Sequence, residues 1–254
     1  MSAAKAAPPR VQRVTLAVRQ PAPDLLGAAA ALARDLQAQL AALFVEDLTL
    51  LRVAALPVTR EIGRVSGVAR SFDLPDLERM LRRQAQQLHD QLATAAQTSR
   101  LAWSFEVRRG DLLEQALRLL APEQAVLLGH RQESGRPQFE EHTQLTVVLD
   151  AGHIDLAALH FALRVAHGGT VSVLLAGPPD ALPALRAQID RELGSVGAAG
   201  RIEFLTGQPI ALLARPGAGL RSRALVLSGA LVRADRQALK ALAEATTAPL
   251  ILVG

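Results

Sequence analysis

VTLAVR at Val14–Arg19 and LTVVLD at Leu145–Asp150 are one apolar strand pattern written twice. Sliding the chain by 131 positions lays Thr15 on Thr146 without a gap. Asp24 then falls on Asp155, Leu25 on Leu156, Ala31 on Ala162 and Leu32 on Leu163. LAALFV at Leu40–Val45 lies over VSVLLA at Val171–Ala176. Each half therefore reads as an apolar strand, an Ala/Leu-rich helix and a second apolar strand. Internal repetition decides architecture before any single residue does. The 254 residues divide into two related α/β units of roughly 110–140 residues each.

Working outward, Asp24 is placed to cap a helix from Leu25 to about Leu36. Strand two is Leu40–Val45. The segment from Glu46 to Ser71 is long for a connection and rich in Leu and Val, with room for a short helix. SFDLPDLERMLRRQAQQL opens a long helix, with Asp73 as N-cap, Pro75 and Asp76 in the first turn, and a stripe of Leu77, Met80, Leu81, Leu88 and Leu92. Strand Leu101–Val107, helix Leu112–Leu120 and strand Gln124–Leu128 complete the first unit. The second unit repeats the alternation, with strands at Leu145–Leu149, Thr170–Leu175, Arg201–Leu205, Ala224–Leu227 and Leu250–Val253. Its helices are expected at Ile154–Ala166, Ala181–Leu193, Pro209–Ala214 and Asp235–Glu244. Strands that are apolar throughout and alternate with helices form parallel sheets covered on both faces. Residues 1–11 read as a disordered tail, 12–129 as the first unit, 130–144 as a polar linker and 145–254 as the second unit. The stretch after Leu128 is too short for a further helix and strand. The first unit is thus expected to have four parallel strands and the second five, which leaves an edge to be covered by the other unit or by a second chain.

Composition narrows the function classes. There is no cysteine, so disulfides and thiolate chemistry are excluded. No apolar run reaches the ~20 residues of a membrane span, and the N-terminus lacks the apolar core of a signal peptide; a cytoplasmic protein without a membrane partner is expected. The pI of 10.7 is not a nucleic-acid signature. The net charge is only +4, and there are no Cys or Tyr and just two lysines, Lys5 and Lys240. Little can therefore release a proton before arginine does. Aromatic residues, 3% of the chain, are too few for a base-stacking surface.

The order VTLAV, ALARDLQAQLAALFVED, ERMLRRQAQQL and WSFEVRRGDLLEQALRLLAPEQAVLLGH resembles a universal stress protein domain. The second half, from TVVLDAGHIDLAALHFALRVAHGGTVSVLLAG through GQPIALLA and ALVLSG to TAPLILVG, is similar to a more degenerate copy. The resemblance spans about residues 12–254. It implies two Rossmann-like doubly wound domains in tandem and a non-enzymatic role in stress adaptation through protein contacts, as a homodimer or with another protein. Family members commonly dimerise through the last strand. Those that bind ATP carry an Asp at the end of strand one and a loop G-x2-G-x9-G-(S/T) after strand four. In the first half strand one ends in Arg19 and Gln20, and Gly129 lacks the second loop glycine. In the second half Asp150 stands at the Asp position and Gly229 begins the loop. Ala230, Leu231 and Val232 follow it, with Thr246 and Thr247 a loose echo of the terminal Gly-(S/T). The implied cofactor is therefore none. The alternative is an adenine-nucleotide switch, with ATP or a related nucleotide held by Asp150, Gly229, Thr246 and Thr247.

Other constellations carry less. His153, His160 and His167 recur at intervals of seven without further ligands at metal spacing. Asp111 and Glu114 read as helix N-terminal charges. Arg79, Arg82 and Arg83, with Arg64 and Arg70 upstream, read as a solvated helix face. The apolar residues of the 46–73 connection suggest an arm that packs against the second unit or a partner chain.

Overall fold

In the computed structural model the repeat is folded into a single sheet. The described residues are 11–56, 60–62, 69–71, 74–129, 145–150, 155–166, 171–196, 202–206, 224–246 and 248–254. The first half contributes β1 (Arg13–Val18), β2 (Gln39–Asp47), β5 (Trp103–Gly110) and β6 (Gln124–Gly129). The second contributes β7 (Leu145–Asp150), β8 (Val171–Ala176), β9 (Ile202–Thr206), β10 (Ala224–Ser228) and β11 (Leu250–Val253). The strand order is β5-β2-β1-β6-β11-β10-β7-β8-β9. Within each half every pairing in this sheet is parallel. The two halves meet where β11 runs antiparallel to β6, with Leu250 opposite Leu128 and Val253 opposite Ala125. The four-plus-five division of strands thus holds. The edge left by the first half's missing last strand is covered from within the chain, and β11 is paired on both sides.

Alternation along the strands explains the two cores. Leu16, Phe44, Leu127, Val147, Val173 and Val226 face one side, under α1 (Pro23–Leu36), α3 (Leu74–Ser99), α5 (Ala157–Val165) and α6 (Leu182–Val196). Ala17, Leu43, Val126, Leu128, Leu225 and Leu252 face the other, under α4 (Leu112–Leu119), α7 (Gly229–Ala234) and α8 (Arg236–Ala245). A strand buried on both faces needs no polar alternation, which is why these strands read as unbroken apolar runs.

Local chemistry modifies several expectations. Asp24 is not the cap of α1: the helix begins at Pro23 after Ala22, and Asp24 sits in its first turn. Proline fixes the helical φ at that position and lacks an N–H to satisfy, so it opens the helix two residues earlier. The cap predicted at Asp73 lies outside the described residues, as do the helix at Pro209–Ala214, residues 1–10 and residues 130–144. The long connection holds α2 (Leu48–Ala54), capped by the Asp47 carboxylate, and an antiparallel pair of β3 (Arg60–Ile62) and β4 (Ala69–Ser71). Leu51 and Ala54 of α2 are buried in the first half's core, where the helix contacts α3 and β2 of its own half. In place of an arm packed against the second unit or a partner chain, as expected, helix α2 packs on the first half. Its outer face leaves Leu48, Leu50, Val53 and Leu56 exposed, and Met80 of α3 is exposed as well. Among the described residues no helix is long and apolar enough to cross a membrane.

Candidate functional site

Open parallel sheets bind ligands beyond the carboxyl ends of the strands, where neighbouring connections leave in opposite directions. This sheet has two such points, between β1 and β6 and between β7 and β10. Because β11 is antiparallel to β6, they open on opposite ends of the sheet.

At the first point β1 delivers Arg19. Its guanidinium lies 3.4 Å from Asp47 at the end of β2 and 3.3 Å from Asp111 at the start of α4. Asp111 is also the N-cap, its carboxylate accepting the Glu114 N–H at 3.0 Å. Gly129, beside Val18 in the register, has no space for a side chain: a Cβ would stand 2.7 Å from Val18 and 2.8 Å from Leu25. What remains is a cleft of about 340 Å³ lined by Arg19, Asp111, Leu112, Leu128, Lys240 and Glu244. Two of these residues come from α8, so the second half supplies a wall of the first half's cleft.

At the second point the register brings Asp150 and Gly229 to adjacent strand ends. Each lies two residues beyond the Val148–Leu227 pair. Thr246 does not join them. It ends α8 and precedes β11, where its hydroxyl accepts the Ala248 N–H at 3.1 Å. β11 is parallel to β10, so a residue before β11 lies at the opposite end of the sheet from a residue after β10. Linear spacing to the last strand could not reveal this. Thr247 lies outside the described residues.

Gly229 does not open a loop either. It is the first residue of α7, capped by the Ser228 hydroxyl, which accepts the Leu231 N–H at 3.3 Å. Leu231 and Val232 are buried in the core under this face. A Cβ at Gly229 would lie 3.1 Å from the Arg233 guanidinium and 3.2 Å from the Val253 carbonyl oxygen. After β10 the chain thus enters α7 directly, and its branched side chains Leu231 and Val232 go to the core. The six residues of α7 are too few to show helical periodicity, and sequence reasoning missed them.

Charges on β2, β5 and α3 pair with one another. Arg109 at the end of β5 binds Glu46 of β2 at 2.7 Å and lies 3.7 Å from Glu78 of α3. The hydrogen bond and charge of Glu46 raise the Arg109 pKa above the ordinary arginine value. Arg79 pairs with Asp76, and Arg82 lies 3.8 Å from Glu78, a solvated helix face as expected. His160 sits half-buried on α5, while His153 and His167 lie outside the described residues.

The comparisons with known proteins concern the fold. No family model matches the chain, and no curated protein does. Among solved structures, a universal stress protein from Archaeoglobus fulgidus DSM 4304 aligns with a TM-score of 0.54 at 12% identity. The alignment covers 94% of this chain and 95% of that one, so the likeness extends over both halves. A structure from Pseudomonas aeruginosa UCBPP-PA14, provisionally given the same family name, aligns at 0.42 and 16% identity over 96% and 94% of the two chains. The cytoplasmic domain of a prokaryotic cation chloride cotransporter aligns at 0.44 and 12% over 96% and 95%. The chain has the α/β fold of a universal stress protein, a reading that rests on the archaeal structure.

Proposed function

We propose that the chain is a tandem universal stress protein, with units at 12–129 and 145–254 joined by a linker at 130–144. It acts in the cytoplasm without catalysing a reaction, through contacts with protein, and has lost nucleotide binding at its strand-end crevices. The observation that carries this reading is α7, whose buried Leu231 and Val232 fill the place of a phosphate loop. Arg19, tied to Asp47 and Asp111, supports the same loss in the first half.

Both edges of β11 are already paired, so dimerisation by that strand is closed to this chain. The exposed Leu50, Val53, Leu56 and Met80 around α2 and α3 are the surface assigned here to protein contact, with a second copy as its partner. Scattered single apolar residues carry little meaning, but several from one pair of packed helices do.

Calorimetric titration with ATP, ADP and AMP, after checking natively purified protein for nucleotide, tests the first part. No saturable binding that depends on Asp150 is expected. Stoichiometric binding abolished by Asp150→Ala would overturn it in favour of the second reading, a nucleotide switch at Asp150 and Gly229. That reading has their adjacent strand ends in its favour. Leu50→Glu combined with Val53→Glu tests the second part: light scattering on the wild type should give a dimer and on the variant a monomer. A wild-type monomer across the concentration range would remove the homodimer.

A further inference from the structure

A second concavity, of about 410 Å³, lies on the helical face where the two halves meet, lined by Glu114, Leu117, Arg118, Arg233 and Arg236. Its size is within the ~300–1,000 Å³ of small-molecule sites. The three arginines come from three helices, α4, α7 and α8, and from both halves of the chain. Several of the chain's other arginines are paired, Arg19 with Asp47 and Asp111, Arg79 with Asp76, and Arg109 with Glu46 and Glu78. Among the described residues none of Arg118, Arg233 and Arg236 has a carboxylate partner, and Glu114 is the one acidic residue in the lining. Arg233 is held in place, its guanidinium donating to the Leu120 carbonyl across the junction of the halves.

Helix polarity explains part of this. Arg118 and Arg233 sit in the last turns of α4 and α7, where a cation is favoured. It does not explain Arg236, which is the first residue of α8, where the helix end is itself positive. Three arginines and a single carboxylate, Glu114, line this concavity, and the excess of positive charge favours an anion there. Planar guanidinium forks match phosphate oxygens two at a time. Forks arriving from three helices suit oxygens spread over more than one phosphate.

We propose that this groove binds a compact anion carrying at least two phosphate groups, either inorganic polyphosphate or the polyphosphate tail of a nucleotide. The groove is separate from the strand-end crevice at Asp150, and the proposal stands whether or not that crevice has lost its ligand.

The test is calorimetry of the full chain at low salt with pyrophosphate, tripolyphosphate, ADP and adenosine. Saturable one-to-one binding of pyrophosphate or tripolyphosphate is expected. Arg118→Gln and Arg236→Gln should each weaken it about tenfold, the scale of one charge-assisted hydrogen bond, and the double variant more. Arg233 is left intact because it ties the halves together. Arg82→Gln, outside the groove, should leave affinity unchanged, and all variants should melt like the wild type. ADP binding with the same arginine dependence, and none with adenosine, would identify a nucleotide tail as the source; binding of the inorganic anions alone would identify inorganic polyphosphate. No saturable binding of either inorganic anion at millimolar concentration would overturn the proposal. So would equal affinity in wild type and the double variant. ADP binding lost in Asp150→Ala but kept in the arginine variants would count against the proposed function, with the groove still decided by the inorganic anions.

Discussion

The two strand-end crevices stand at equivalent points of a repeated fold and are shaped by different physics. In the first, Arg19 reaches two carboxylates at 3.4 and 3.3 Å, and its side chain remains 44% exposed. In the second, the backbone turns directly from β10 into α7 and buries Leu231 and Val232. Exposed ion pairs are weak and screened by salt. Burial of two branched side chains is strong and indifferent to salt. The chemistry at the first point can therefore be altered by a single surface substitution, whereas at the second it is tied to the core.

The largest effect should come where the two regions depend on each other, at β11. Leu252 is fully buried, paired with Val126 of the first half and Leu227 of the second. Leu252→Asp places an unpaired carboxylate between both half-sheets and should cost about 5 kcal/mol or more, ending cooperative folding of the whole chain. Urea denaturation followed by fluorescence of Trp103 in the first half and by circular dichroism would show it. A first half that stays folded while the second unfolds would mean that the continuous sheet is not one cooperative unit.

The strands and most helices were legible because burial on both faces leaves runs such as VTLAV and ALVLS, and because the 131-residue shift supplies each half with a template. The direction of β11 was not legible. Nothing local in LILV distinguishes an end strand that pairs on one side from one that joins two half-sheets. The same blindness misplaced Thr246, whose distance along the chain from Gly229 does not say which end of the sheet it occupies. Arg19 was visible as a departure from an acidic position, but its partners Asp47 and Asp111 lie 28 and 92 residues away and meet it only through the β5-β2-β1 order. Of the candidate site, then, the adjacency of Asp150 and Gly229 followed from strand equivalence, while the helix that begins at Gly229 did not.

A smaller effect sharpens the contrast at the second crevice. Leu231→Ala should destabilise by about 2–4 kcal/mol, the usual range for emptying a buried leucine position, with an unchanged denaturant slope and no salt dependence. It should not create nucleotide binding, because the Arg233 guanidinium and the Val253 carbonyl still crowd Gly229. A loss under about 0.5 kcal/mol would mean that α7 is not packed as described and that the second crevice is open.

The smallest effect belongs to Arg19. Arg19→Gln removes both ion pairs but leaves the neutral amide able to hydrogen-bond, and Asp111 keeps its cap on Glu114. The cost should be below about 1 kcal/mol and shrink further between low salt and 0.5 M salt. Arg19→Asp is more informative. It sets a third carboxylate beside Asp47 and Asp111, so its cost should exceed that of Arg19→Gln at low salt and converge on it at high salt as the repulsion is screened. A salt-independent difference between the two variants would mean that the Arg19 stem, rather than its charge, closes the first crevice. In that case both crevices would be closed by packing, and the contrast between them would be one of degree.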